Sequence, residues 1–248
     1  MTEALTAQTI RITGFGGDEI EAYLAIPDDG AAARGSVVVI HHMPGYDWPS
    51  KEIVRRFAAN GYAALMPNLY FRDAPGASPD DAAATARANG GVPDGRLVGD
   101  VGAAADYLRA LQNSNGKVGV IGYCSGGRQS FLAACSLPLD AAVDCYGACI
   151  VYPPPEGMPL KVSPIVDLAT DLSCPLLGLF GEDDKYPSPA ETAELSKALD
   201  EYGKPHEFHT YADAGHAFFS VNRPAYRPEA ANDGWQKIWD FYGRYLAS

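Results

Sequence analysis

Apolar positions change their period early in the chain. From Gln8 to Thr13 and from Glu19 to Ile26 they alternate with polar ones on either side of the turn Gly14-Phe15-Gly16-Gly17-Asp18. A period of two is that of a half-buried strand, so this pair predicts an antiparallel hairpin at a sheet edge. Beyond it come short strands with little or no alternation, continuous and β-branched at Ser36 to Ile40 and apolar at Lys117 to Ile121, with further strands at Tyr62 to Met66, Ala141 to Tyr146, Pro175 to Phe180 and, more polar, His206 to Tyr211. Helical stretches alternate with them at Lys51 to Asn60, Val98 to Leu111, Gly126 to Cys135, Ala190 to Tyr202 and about Glu229 to Leu246. Strands without a polar face are buried on both sides, which predicts an α/β fold: a mostly parallel sheet with helices on both faces. Two stretches escape the pattern. Arg72 to Asp94, rich in Pro, Asp and Gly with an Ala-rich segment, reads as a loop that forms part of a cap. Tyr152 to Asp171, with Pro153, Pro154, Pro155, Pro159 and Pro164, reads as an irregular surface loop near the site. The sheet pattern resumes after it, so residues 1–248 are expected to form a single domain.

Composition narrows the function classes. At 248 residues and 47% hydrophobic, the chain can bury one sizeable core. No apolar run approaches the roughly 20 residues that span a bilayer, and Met1 to Gln8 lacks the basic and apolar regions of a signal peptide. A soluble, cytoplasmic protein is expected. The formal net charge of −12 argues against nucleic acid or an anionic membrane as partner, because phosphate binding needs clustered Lys and Arg. It also means that an anionic substrate would need a local positive pocket. Five cysteines, spread through expected strands and helices, do not suggest a disulfide framework. No CxxC pair or cluster of His marks a metal site, and Cys145 and Cys149 read as core.

One cysteine stands apart. Gly122-Tyr123-Cys124-Ser125-Gly126-Gly127 follows the strand ending at Ile121 and opens a helical stretch. This is the GxSxG-type elbow with sulfur in place of oxygen: the tip residue sits in strained backbone, and glycines let strand and helix pass close behind it. A thiol there faces a helix N-terminus, which favours the thiolate. A nucleophile needs a base, and the base needs a group that fixes its tautomer. After Cys124, the strand ending at Phe180 opens into Gly181-Glu182-Asp183-Asp184, and the strand ending at Tyr211 leads into Ala214-Gly215-His216-Ala217-Phe218. Asp183 is the favoured acid, two residues past the strand-ending glycine, with Asp184 or Glu182 able to take its place. His216 is the favoured base over His206 and His209, which lie within a strand. For the oxyanion of acyl transfer, the backbone N–H of Ser125 is one expected donor. The loop His41-His42-Met43-Pro44-Gly45 supplies the other, and since Pro44 cannot donate, Met43 is the candidate.

Together these residues resemble the dienelactone hydrolase family of the α/β-hydrolase fold, with a Cys, Asp, His triad. The resemblance runs over nearly the whole chain and includes Pro67-Asn68-Leu69-Tyr70-Phe71-Arg72. It implies that Cys124 attacks the carbonyl of a small lactone or carboxylic ester, that His216 shuttles the proton, that Asp183 orients His216, and that water releases the acid. No metal or organic cofactor is implied. Arg72 matches a family arginine that holds a substrate carboxylate. Two positions depart from the family pattern: His42 stands where dienelactone-cleaving members carry a glutamate, and a second carboxylate-gripping arginine is missing after His216, with Arg223 three residues beyond Ser220. Tyr123 is a further candidate for the pocket wall. Transfer of the acyl group to an acceptor other than water, and a redox-responsive thiol on a silent scaffold, are the competing expectations.

Overall fold

The computed structural model describes residues 5–27 and 34–247. Met1 to Ala4, part of the segment read for a targeting signal, lie outside the described residues, as does Ser248 at the end of the expected domain. The hairpin is present as β1 (Leu5–Thr13) and β2 (Glu19–Pro27), paired in antiparallel register from Leu5 against Pro27 to Thr13 against Glu19. The remaining strands are β3 (Ser36–Ile40), β4 (Ala63–Pro67), β5 (Val118–Tyr123), β6 (Ala141–Cys145), β7 (Leu176–Gly181) and β8 (His206–Tyr211). They join the hairpin in one eight-stranded sheet of order β1-β2-β4-β3-β5-β6-β7-β8. β2 meets β4 antiparallel, and every later pairing is parallel.

Among the described residues there are six α-helices: α1 (Trp48–Ala59), α2 (Pro79–Ala88), α3 (Asp94–Arg109), α4 (Ser125–Ser136), α5 (Pro189–Glu201) and α6 (Pro228–Tyr245). The unbroken apolar strands explain why both faces are covered, since alternate residues of one strand serve two cores. Val38 and Ile40 of β3 pack with Leu97, Val101 and Leu108 of α3 on one face. Val37 and Val39 pack with Val54 and Phe57 of α1 and with Ile238 and Tyr242 of α6 on the other. The sheet and its two helical layers are those of the α/β-hydrolase fold.

The stretch expected to be a loop from Arg72 to Asp94 contains α2. Its start is specified locally: Ser78 accepts from the Asp81 N–H, Pro79 occupies the first turn, and Asp80 and Asp81 sit where the helix dipole favours negative charge. α3 likewise starts at Asp94, four residues before the expected Val98, and α1 starts at Trp48 because Asp47 caps it through the Ser50 N–H. The stretch Tyr152 to Asp171, expected to be irregular throughout, is so only in part: Val166–Asp171 forms a short 3-10 helix, while residues 152–165 stay irregular, with Pro155 to Ser163 lying as a strap. The strap is tied down by the Lys161 N–H to Gly90 carbonyl bond at 2.8 Å and the Arg128 Nη2 to Ser163 carbonyl bond at 2.8 Å.

Candidate active site

The turn from β5 into α4 has the geometry its glycines foretell. Cys124 sits at φ 59°, ψ −121°, a strained conformation for a residue with a Cβ. A Cβ on Gly122 would lie 1.8 Å from the Gly126 carbonyl oxygen, and one on Gly126 would lie 2.6 Å from the Ile40 carbonyl oxygen. Side chains at either position would force strand and helix apart, so the strain at Cys124 is sustained by close packing behind it.

His216 reaches toward this thiol from the loop after β8, and the two side chains border one cavity and act on each other's charge. The His216 Nδ1 is 2.8 Å from Oδ2 of Asp184. The carboxylate on the imidazole is therefore that of Asp184, and the expectation for Asp183 is corrected. The Asp183 backbone N–H bonds the Ala214 carbonyl at 2.9 Å, which pins the turn after β7 against the histidine loop. That pinning leaves the Asp183 side chain exposed at the cavity wall and turns the next side chain inward. Asp184 is held from its other oxygen by the Tyr186 N–H at 2.9 Å and is only 5% exposed. Two neighbouring carboxylates in a turn carry no periodicity to tell them apart, so only the contact between loops decides.

Electrostatics follow from these contacts. Burial pushes the Cys124 thiol up, but the hydrogen bond and charge of His216, with the N–H groups of Ser125 and Met43, outweigh it and leave the thiol below its usual value. Burial lowers the basicity of His216, while Asp184 and Cys124 raise it more strongly, to about 10. The Tyr146 ring stacks edge-on against the imidazole at 5.1 Å and holds its plane. Sulfur thus faces one imidazole and two convergent backbone donors. Met43 and Ser125, the expected oxyanion donors, both direct their backbone N–H groups at Cys124.

Two residues that sequence reasoning left aside brace the Met43 loop. Burial lowers His41 to about 4, so its ring is neutral. Its Nδ1–H donates to the His42 carbonyl at 2.9 Å, and its Nε2 accepts the Leu69 N–H at 3.3 Å. Tyr70 donates its hydroxyl to the Met43 carbonyl at 2.9 Å. Their signal was adjacency alone: the histidine that opens the loop and a tyrosine inside the Pro67 to Arg72 motif.

The other predicted contacts lie elsewhere. Arg72 does not line the cavity at Cys124: it bonds both oxygens of the fully buried Asp100 at 2.7 and 2.9 Å, Asp18 at 2.8 Å and the Phe15 carbonyl at 3.0 Å, clamping the hairpin turn to α3. Arg223 is exposed and borders neither cavity described among these residues. His42 and Tyr123 border a separate hollow of about 140 Å³, away from the thiol's cavity; His42 Nε2 bonds Asp47 at 2.9 Å. Among the described residues no group of three or more His, Cys, Asp or Glu could hold a metal ion, and no helix is long and apolar enough to cross a membrane.

The profile described as the dienelactone hydrolase family matches residues 20–246. The chain belongs to that family. Among similar family members, a Salmonella typhimurium protein named "Putative carboxymethylenebutenolidase" is 35% identical over 237 residues, covering 92% of this chain and 84% of the relative. A Methylorubrum extorquens protein of the same name is 32% identical, over 91% of this chain and 77% of the relative. The crystal structure of a Klebsiella pneumoniae protein named "Putative Dienelactone Hydrolase" superposes with a TM-score of 0.86 at 29% identity, covering 98% of this chain and all of that one. As a dienelactone hydrolase family member with this fold, the protein is a hydrolase.

Proposed function

We propose that this hydrolase cleaves lactones or carboxylic esters through a thioester on Cys124. One observation carries the reading: His216 and the N–H groups of Ser125 and Met43 all converge on the same sulfur. A carbonyl carbon brought to that sulfur places its oxygen beside the two backbone donors, where negative charge develops in the tetrahedral intermediate. The sulfur–carbon bond forms, the carbon–oxygen bond of the ester breaks, and the departing oxygen takes its proton from His216. Water then attacks the thioester, giving its proton to His216; acid is released and the thiol side chain is regenerated. Asp184 fixes the ring through Nδ1 and supports its charge. The name "Putative carboxymethylenebutenolidase" carried by relatives supports lactones as the substrate class.

The test is Cys124→Ala against a panel of aryl esters and lactones, with intact mass after brief substrate exposure. Turnover should fall to background, and the wild-type protein should gain one acyl group that the variant lacks. Unchanged turnover in the variant would overturn the assignment.

A further inference from the structure

The cavity at Cys124 is roomy and largely apolar along one side. It measures about 530 Å³, within the range of roughly 300–1,000 Å³ that takes a drug-sized ligand. Val92, Pro155, Met158, Pro159, Leu160 and Val162 line it. They come from the chain after α2 and from the strap Pro155–Ser163, whose Leu160 lies over Gly91. The strap is held by Arg128, which spans Asp94, the Ser163 carbonyl and the Cys149 carbonyl with bonds of 2.8 to 3.2 Å.

Positive charge in this cavity is either spent or solvated. Arg128 is buried but paired with both oxygens of Asp94. Arg72 is saturated by Asp100, Asp18 and Phe15 outside the cavity. Arg87 and Lys185 border it as exposed side chains, where water screens them, and the Asp183 carboxylate opposes an anion at the same wall. The departing oxygen must lie against His216, so the leaving group runs along the polar side formed by Asp183, Asp184 and Lys185. The acyl group is left the apolar side under the strap.

Resting on the proposed function, we infer that the preferred substrates are neutral esters with an extended apolar acyl group, seated beneath Met158, Leu160 and Val162. The experiment is a chain-length series of p-nitrophenyl esters from acetate to decanoate with the full-length enzyme, together with the anionic hemisuccinate. Burying a methylene in this lining sets a ceiling of about fourfold per carbon, so kcat/KM should rise about two- to fourfold per methylene over the first several carbons and then level. Hemisuccinate should run at least about tenfold below the butyrate ester. Leu160→Asp should lower the octanoate-to-acetate ratio by about tenfold or more, and Leu160→Ala by a smaller factor in the same direction, should the charged variant fail to fold.

A flat or falling series whose turnover still depends on Cys124, or hemisuccinate outrunning butyrate, would overturn the inference and leave the nucleophile standing. A rising series that persists in Cys124→Ala would overturn the nucleophile and keep the cavity. No turnover of any ester by the wild-type enzyme would sink both.

Discussion

Two histidine–aspartate pairs stand at the carboxyl edge of the same sheet, and their contact distances barely differ. His216 lies 2.8 Å from Asp184 in the loops after β8 and β7; His42 lies 2.9 Å from Asp47 in the loop after β3. What separates them is the partner on the far side of each pair. In the first, the carboxylate takes Nδ1 and the ring turns its other nitrogen to the Cys124 sulfur, while the Asp184 side chain is almost wholly buried. In the second, the carboxylate takes Nε2, and Asp47 spends its other oxygen on the Ser50 N–H at the start of α1. One pair ends on a thiol and the other on a helix. A histidine–aspartate contact therefore acquires chemistry from the third group it orients, and without that group it is an element of the scaffold.

Exchanging each carboxylate for its amide breaks the comparison most sharply. An asparagine at 184 can hold the ring in the wrong tautomer and cannot support an imidazolium, so Asp184→Asn should lower kcat by about 10²- to 10⁴-fold. Asp47→Asn retains an oxygen for the cap and should change kcat by less than about threefold. Asp183→Asn should match Asp47→Asn rather than Asp184→Asn. Steady-state kinetics on one ester checks all three, and equal losses at 183 and 184 would dissolve the distinction between the pairs.

A second measurement reads the charge on sulfur rather than turnover. His216 holds the Cys124 thiol below its usual value, and the thiol and Asp184 hold His216 up at about 10. The signs are complementary. The raised histidine contributes stability that is complete below its ordinary value of 6.5 and is lost as pH rises through about 10. The lowered cysteine contributes stability present above the usual thiol value and lost as pH falls through its depressed one. Between them the thiolate and imidazolium coexist. Iodoacetamide should accordingly alkylate Cys124 in mildly acidic buffer at least about tenfold faster in the wild type than in His216→Ala, where only the N–H groups of Ser125 and Met43 are left to oppose the burial that pushes the thiol up. His42→Ala should leave that rate within about twofold, because its ring is not among the groups that set the sulfur's charge.

The two pairs also show how far the sequence reaches. The strands were legible because unbroken apolar runs have one reading in a covered sheet, and the elbow because its glycines are forced by backbone contacts at Gly122 and Gly126. Met43 and Ser125 were expected as donors from the chemistry of proline and from position, and their N–H groups lie at the sulfur. α2 was hidden in a loop reading, although Ser78, Pro79, Asp80 and Asp81 spell its start; its small alanine face gave too weak a period against the surrounding Pro and Gly. Arg72 was misplaced because a motif match fixes a position in the chain but not the partners there, and Asp100, 28 residues on, claims its guanidinium. Asp184 was passed over for Asp183 for the same reason, since a backbone bond to Ala214 selects between them.

The smallest expected effect tests whether the second pair belongs to the scaffold. Asp47→Ala removes both the helix cap and the histidine's partner, and loss of an N-cap costs about 1 kcal/mol. For a chain of this size, such a loss lowers Tm by roughly 2–4 °C. The bond to His42 adds little, because both side chains keep some contact with water, at 14% and 15% exposure. Asp47→Asn should restore most of the Tm through the Ser50 N–H, even though the amide cannot carry charge toward His42. Thermal unfolding of the two variants separates the contributions: a Tm recovered by asparagine assigns Asp47 to the helix, whereas a Tm left low would mean that the carboxylate's charge on His42 carries the stability. In that case the contrast between the pairs would lie in their neighbours alone and not in the energetics of the contact itself.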